Sequence, residues 1–336
     1  MTKNTAILLV NLGTPDSPTK RNVRKFISEF LNDARVIDLP FILRKLLVNL
    51  IIVPFRASKS AKLYQKLWTN EGSPILNYGL SLKNKLNGLL DDNHEVYLAM
   101  RYGNPGMEKI LTEIGKKQFQ QLIILPLFPQ YASSTTGSII EKTMQIIEKW
   151  NYIPKIKIIS EFYAQTAFID AWAAKINKHN LAQYGHVLFS YHGLPEKHVE
   201  ATHENKSCNN FNCSTEINEQ NHACYRAQCY ATTRLIAKKI NLSEKNYTVC
   251  FQSRFGKNWL SPFTEEVILN EAKKGTEKLL VIPPSFVADC LETIVEIGTD
   301  YRELFSLHGG DELQMVESLN DSDLWAKAVK LTVMDN

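Results

Sequence analysis

Short apolar runs closed by glycine or proline alternate along the chain with longer stretches whose apolar positions recur at helical spacing. AILLVNLGTP (6–15), EVYLAMRYGNP (95–105) and QLIILPLFP (121–129) are of the first kind; 106–118 and 231–240 are of the second. Runs of this length read as buried strands, and their alternation with amphipathic stretches predicts βα units and parallel sheets. The same order then repeats. HVLFSYHGLP (186–195) matches the first run, and YTVCFQSRFGKN (247–258) matches the second. GTEKLLVIPPSFVADCLET (275–293) matches KQFQQLIILPLFPQYASSTTGS (117–138). Three matched elements in register predict a duplication into two similar, Rossmann-like α/β halves, 1–180 and 181–336, meeting near KHNLAQYG (178–185).

Ligands of parallel sheets bind beyond the carboxyl ends of the strands, so the loops that matter are NLGTPDSP, RYGNP, QYASSTTG, SYHGLP and PSFVADCLE, expected to line a cleft between the halves. His192 follows a strand directly, and Gly193 and Pro195 fix the turn that aims its ring. An imidazole there can take a proton or hold a divalent metal near neutral pH; the alternative is an ordinary loop histidine, one of eight. Glu292, Glu296 and Asp300 recur every fourth residue, one face of a helix. Leu291, Ile294, Val295 and Phe305 occupy roughly the opposite face, the pattern of a surface helix with solvated acids. Repulsion along such a face costs stability unless a cation or a proton offsets it. SSTTG (133–137) reads most simply as a helix start, and Arg101 as a partner for a carboxylate of ligand or protein. Neither half carries a P-loop or a GxGxxG fingerprint.

Composition narrows the compartment more than the chemistry. With 336 residues and 44% apolar content the chain buries a full core, so its six cysteines are not the staples of a small scaffold. The first residues show no secretory signal, which predicts a reducing, cytoplasmic setting where clustered cysteines bind metal. Four cysteines, Cys208, Cys213, Cys224 and Cys229, form such a cluster; Cys250 and Cys290 read as buried thiols. A net charge of +4, spread along the sequence, argues against a nucleic-acid partner. LPFILRKLLVNLIIVPF (39–55) is strongly apolar but too short, and too charged at Arg44 and Lys45, to span a bilayer. It is either a core helix or an exposed lip that meets a membrane, peripherally and from its inner face, or a greasy ligand.

Taken together, LLVNLGTP, WTNEGSPI (68–75), RYGNP, PQYASSTTGS, SYHGLPEKH, FQSRFGKNWLSP (251–262) and ADCLETIVEIG resemble the ferrochelatases, in that family's order and over nearly the whole chain. The resemblance implies a chelatase-type fold and insertion of Fe2+, as substrate, into a porphyrin during heme synthesis. It implies catalysis by His192 and Glu292, with Glu296 and Asp300 continuing an iron or proton path along a locally widened helix. Leu12, Ser73, Arg101, Tyr102, Tyr131, Ser134, Thr135 and Thr136 fall at porphyrin-lining positions, and 39–55 at the apolar lip. Asp16 stands where coproporphyrin enzymes of the family carry tyrosine, which favours protoporphyrin IX. The segment 204–229 looks like an insertion similar to those that carry a [2Fe–2S] cluster on four cysteines; structural zinc is the alternative. The competing readings are another tetrapyrrole chelatase, for coproporphyrin III or for cobalt or nickel, and a porphyrin-binding protein without turnover.

Overall fold

A computed structural model describes residues 3–204 and 206–335. It contains two four-stranded parallel sheets. The first uses β1 (Thr5–Thr14), β2 (His94–Gly103), β3 (Gln121–Pro126) and β4 (Lys155–Ile158) in the order β2-β1-β3-β4. The second uses β5 (His186–His192), β6 (Tyr247–Gln252), β7 (Lys278–Ile282) and β8 (Glu312–Met315) in the order β6-β5-β7-β8. The strand orders are the same, so the matched runs β1/β5, β2/β6 and β3/β7 occupy equivalent places, and β4 and β8 form a fourth pair.

The apolar runs become strands because helices cover both faces of each sheet. Ala6 to Val10 are fully buried without alternation, as expected of a central parallel strand. On one face Leu8, Tyr97 and Ile124 pack on the helices Met107–Lys116 and Ser138–Ile147. A second cluster joins Val23, Phe26 and Leu31 of the helix Lys20–Leu31 to Val48, Val53 and Tyr102. In the other sheet Leu188, Cys250 and Val281 meet Ile268, Ile297 and Phe305. Each such side chain contributes about 1.5–3 kcal/mol by leaving water. Cys250 and Cys290 are buried thiols, as the sequence indicates.

The chain divides into compact units at a different place from the expected 178–185. One unit comprises 1–128, 133–161 and 329–336; the other comprises 129–132 and 162–328. The helix Thr166–Ile176 therefore belongs with the second sheet. The reason is aromatic packing that local pattern does not reveal: Phe162 and Phe168 sit edge-on at 5.3 Å, and both lie within 6 Å of Trp325.

The lip segment turns a helix inside out. Phe41–Leu46 is α-helical, Leu47–Ile52 is a wider π-helical stretch, and Val53–Leu67 continues as α-helix. Ile42 is 69% exposed and Phe55 81% exposed, with Phe41, Leu43, Leu46, Leu50 and Ile51 also outward. Arg44 points inward instead, its Nε donating to the Asn32 carbonyl at 2.9 Å and its Nη1 to that of Leu39. Of the two readings of 39–55, the exposed lip is the one observed. No helix among the described residues is long and apolar enough to cross a membrane.

Candidate functional site

His192 is the last residue of β5 and lies opposite Gln252, the last residue of β6. The chain turns there because Gly193 donates its N–H to the Gln252 carbonyl at 2.8 Å; a Cβ at position 193 would stand 2.8 Å from that same oxygen. The His192 Nδ1 is 2.6 Å from the Gly193 carbonyl oxygen. A carbonyl only accepts, so Nδ1 carries the proton and Nε2 presents its lone pair. The ring is thus set as a base or a ligand at Nε2.

The neighbouring strand β7 leads to the segment that carries Glu292. The loop after Ile282 returns to His192: the His192 N–H donates to Ser285 Oγ at 3.4 Å, and the Phe286 ring centre is 6.3 Å from the imidazole. The loop then enters a π-helical segment, Leu291–Tyr301, that carries Glu292, Glu296 and Asp300. Gln252 ties this segment to the histidine strand by donating Nε2 to the Glu292 carbonyl at 2.9 Å. Burial, then the adjacent Glu292 carboxylate, push the Cys290 thiol well above its usual range.

The three acids are not equally solvated, as a simple surface helix would have them. Glu292 and Glu296 are half-buried and Asp300 is exposed. Glu296 accepts from the Ser253 N–H (2.9 Å), Ser253 Oγ, Gln252 Nε2 (3.2 Å) and Tyr301 Oη (2.9 Å). Ser253 has φ of +61°, a left-handed conformation that a serine adopts at a cost of about 1–2 kcal/mol. Two of its groups on one carboxylate offset that cost.

Porphyrin-lining candidates in the first unit form a second polar cluster. Arg101 donates from Nη2 to Asp33 Oδ2 at 2.6 Å and from Nε to Ser138 Oγ at 2.7 Å. Tyr102 is buried, and its hydroxyl donates to the same Asp33 oxygen at 2.8 Å. Burial opposes the charged form of Asp33. Hydrogen bonds from Ser138 and the Arg35 backbone, the Arg101 charge and Tyr102 outweigh it and hold the carboxyl below its usual range. A cavity of about 430 Å³ opens beside this cluster, lined by Lys25, Ser28, Glu29, Asn32, Asp33, Lys45 and Arg101.

Leu12 packs half-buried on the same core, next to Gly13. Gly13 has φ of +119°, and a Cβ there would lie 1.8 Å from the Tyr102 carbonyl oxygen, so only glycine fits where β1 and β2 approach. Ser73 is buried with its Oγ 2.8 Å from Thr14 Oγ1. Ser134, Thr135 and Thr136 lie in a π-helical turn, Ser133–Gly137, which leads into the helix Ser138–Ile147; Thr136 is fully buried. Tyr131, in the second unit, donates its N–H to Gln228 Oε1 at 2.6 Å. Asp16 is exposed and accepts from Asn104 Nδ2 at 2.7 Å.

The insertion expected over 204–229 is described except for Asn205. It brings Cys208, Cys213 and Cys224 together with a residue that spacing did not single out, His203; their donor atoms all lie within 4.8 Å of one another. All four residues are buried. Cys229 stands outside this group, within the helix Tyr225–Lys239 and beside the Tyr225 side chain. Chain spacing treats the four cysteines alike, whereas the helix carries Cys229 away from the loop. Asp33, Ser138, Gln252, Ser285 and Tyr225 also escaped notice, because each acts through a partner distant in sequence.

Two helix-flanked parallel sheets of one strand order define a chelatase-type α/β protein of two similar halves. A family model described as Ferrochelatase matches residues 4–336. A ferrochelatase of Legionella pneumophila (strain Lens) is 46% identical over 328 residues, covering 97% of this chain and 98% of that protein. A ferrochelatase of Coxiella burnetii (strain Dugway 5J108-111) is 43% identical over 326 residues, covering 96% and 91%. Among solved structures, SirB from Bacillus subtilis with Fe3+ aligns with a TM-score of 0.55 at 10% identity over 99% of this chain and 96% of that one, a likeness of fold alone. The chain belongs to the ferrochelatase family, and with it to the metal-inserting lyases of heme biosynthesis.

Proposed function

We propose that this chain inserts Fe2+ into protoporphyrin IX, with His192 and Glu292 as the reacting pair. The observation that carries the assignment is the Nδ1 hydrogen bond to the Gly193 carbonyl, which leaves the lone pair on Nε2. A free-base porphyrin must lose two pyrrole protons as iron sheds water and enters. His192 Nε2 accepts a proton, or holds the metal in transit, without a tautomer change. Glu292 supplies the paired carboxylate from the helix that follows the loop touching His192. Glu296, held by its four donors, and the exposed Asp300 continue the acid line toward solvent.

Leu12, Ser73, Arg101, Tyr102, Tyr131 and residues 134–136 are read as the porphyrin surface, with Asp16 in place of tyrosine supporting protoporphyrin over coproporphyrin. The outward apolar side chains of 39–55 support peripheral contact with the inner face of a membrane. A [2Fe–2S] cluster, with structural zinc as the alternative, is the resident cofactor implied by the resemblance.

Metalloporphyrin formation from Fe2+ and protoporphyrin, followed anaerobically by absorbance, tests the assignment. His192→Ala is expected to lower kcat by about 10²–10⁴-fold while porphyrin binding persists. Equal rates for the two proteins would remove His192 from the chemistry. Faster turnover on coproporphyrin would overturn the substrate choice.

A further inference from the structure

Residues 201–204 and 206–224 include two short 3-10 turns, Ala201–His203 and Cys208–Phe211, yet they bury four potential metal ligands. Their distances discriminate between one ion and a cluster. Cys208 Sγ is 3.8 Å from Cys224 Sγ, and Cys213 Sγ is 3.3 Å from His203 Nε2. A tetrahedral zinc with bonds of about 2.3 Å to sulfur and 2.0–2.1 Å to nitrogen has ligand–ligand edges of roughly 3.6–3.8 Å. A [2Fe–2S] core divides its ligands between two irons, so pairs on opposite irons stand roughly 5.5–6.5 Å apart, well beyond the edge of one tetrahedron. Here every pair falls within 4.8 Å.

We propose that His203, Cys208, Cys213 and Cys224 hold a single tetrahedral zinc ion, and that Cys229 is not a ligand. The histidine is prepared for this role. Its Nδ1 donates to the Gln220 carbonyl at 3.3 Å, which leaves Nε2 unprotonated and facing Cys213. Its ring stacks on Phe211 at 4.5 Å and 12°, which fixes its plane. Asn221 closes the loop around the donors, giving Nδ2 to the carbonyls of Phe211 and Glu216 and accepting the Asn218 N–H. Metal binding displaces the thiol protons to solvent, with no change of oxidation state. The thiolate and imidazole set, together with the ordinary order of divalent affinities, selects zinc over ferrous iron, which remains the substrate.

The ion also reaches the reactive strand. Cys224 caps the helix Tyr225–Lys239, and the next residue, Tyr225, donates its hydroxyl to the His192 carbonyl at 2.9 Å. Loss of the ion would free the cap and loosen the strand end.

The test is metal and acid-labile sulfide content of the full chain purified anaerobically, followed by zinc titration of metal-stripped protein and cobalt substitution. One zinc per chain, no sulfide, and the intense visible bands of tetrahedral thiolate-bound cobalt are expected. His203→Ala should weaken zinc binding by more than about 100-fold, beyond the loss typical of an outer partner. His203→Cys should restore it, and Cys229→Ala should leave stoichiometry unchanged. Two irons with two sulfides, failure to take up one zinc, or loss of the metal in Cys229→Ala with retention in His203→Ala would each overturn the proposal. None of these readouts depends on porphyrin metallation.

Discussion

Removing the Asp33 carboxylate tests whether the polar cluster of the first unit is held by one acid. Three side chains converge on its Oδ2: Arg101 at 2.6 Å, Tyr102 at 2.8 Å and Ser138. The side chain of Asp33 is 8% exposed and that of Arg101 15%, so the substitution Asp33→Ala leaves a largely desolvated cation and a buried phenol hydroxyl without their shared acceptor. Breaking a buried pair by removing one partner costs about 3–5 kcal/mol, a large share of the roughly 5–15 kcal/mol that holds a typical domain. Asp33→Asn is expected to cost a similar amount, because its amide offers one acceptor and turns two further donors on the cluster. Urea unfolding followed by far-ultraviolet circular dichroism measures the change, and Asp33→Ala/Arg101→Met should regain part of it, since no buried charge remains. The pH dependence has a definite sign. The folded carboxyl lies below its unfolded value of 3.8, so the contribution is complete above that value and is lost as pH falls through the folded one. Asp33→Ala within about 1 kcal/mol of wild type would refute the reasoning.

Three further outcomes follow from specific contacts. Tyr225→Phe deletes the donor to the His192 carbonyl and leaves the ring buried, so stability should fall by about 0.5–1.5 kcal/mol and kcat should fall with KM little changed; an unaltered kcat would show that the tyrosine does not position the histidine. Burial pushes the Cys250 thiol up to about 12. A maleimide at pH 7 should therefore leave Cys250 unlabelled in the native chain and label it after denaturation, as peptide mass analysis would show. Replacing Leu50 and Phe55 with serine should reduce co-sedimentation with anionic lipid vesicles without changing the unfolding midpoint, because both side chains already face water.

The strand runs were legible because a parallel strand buried on both faces must be apolar throughout, and glycine or proline must close it. The recurrence of three of them in one order revealed two halves, and the turn after β5 singled out His192. The division at 161/162 was not legible, since Phe162, Phe168 and Trp325 meet across a long stretch of chain. Nor was the lip. Whether 39–55 is core or surface depends on which side Arg44 faces, and its partners Asn32 and Leu39 are backbone carbonyls without a side-chain signature.

By itself, then, the sequence determined the βα order, the duplication, the strand-end histidine and the presence of a thiol-rich insertion, because these depend on local pattern and on residue chemistry. Only the tertiary structure decided which groups share a site. It gave Arg101 and Tyr102 to Asp33, set four donors on Glu296, and placed His203 rather than Cys229 among the other three cysteines. Distances between side chains far apart in the chain follow from how loops and helix ends pack, and no spacing along the sequence encodes them.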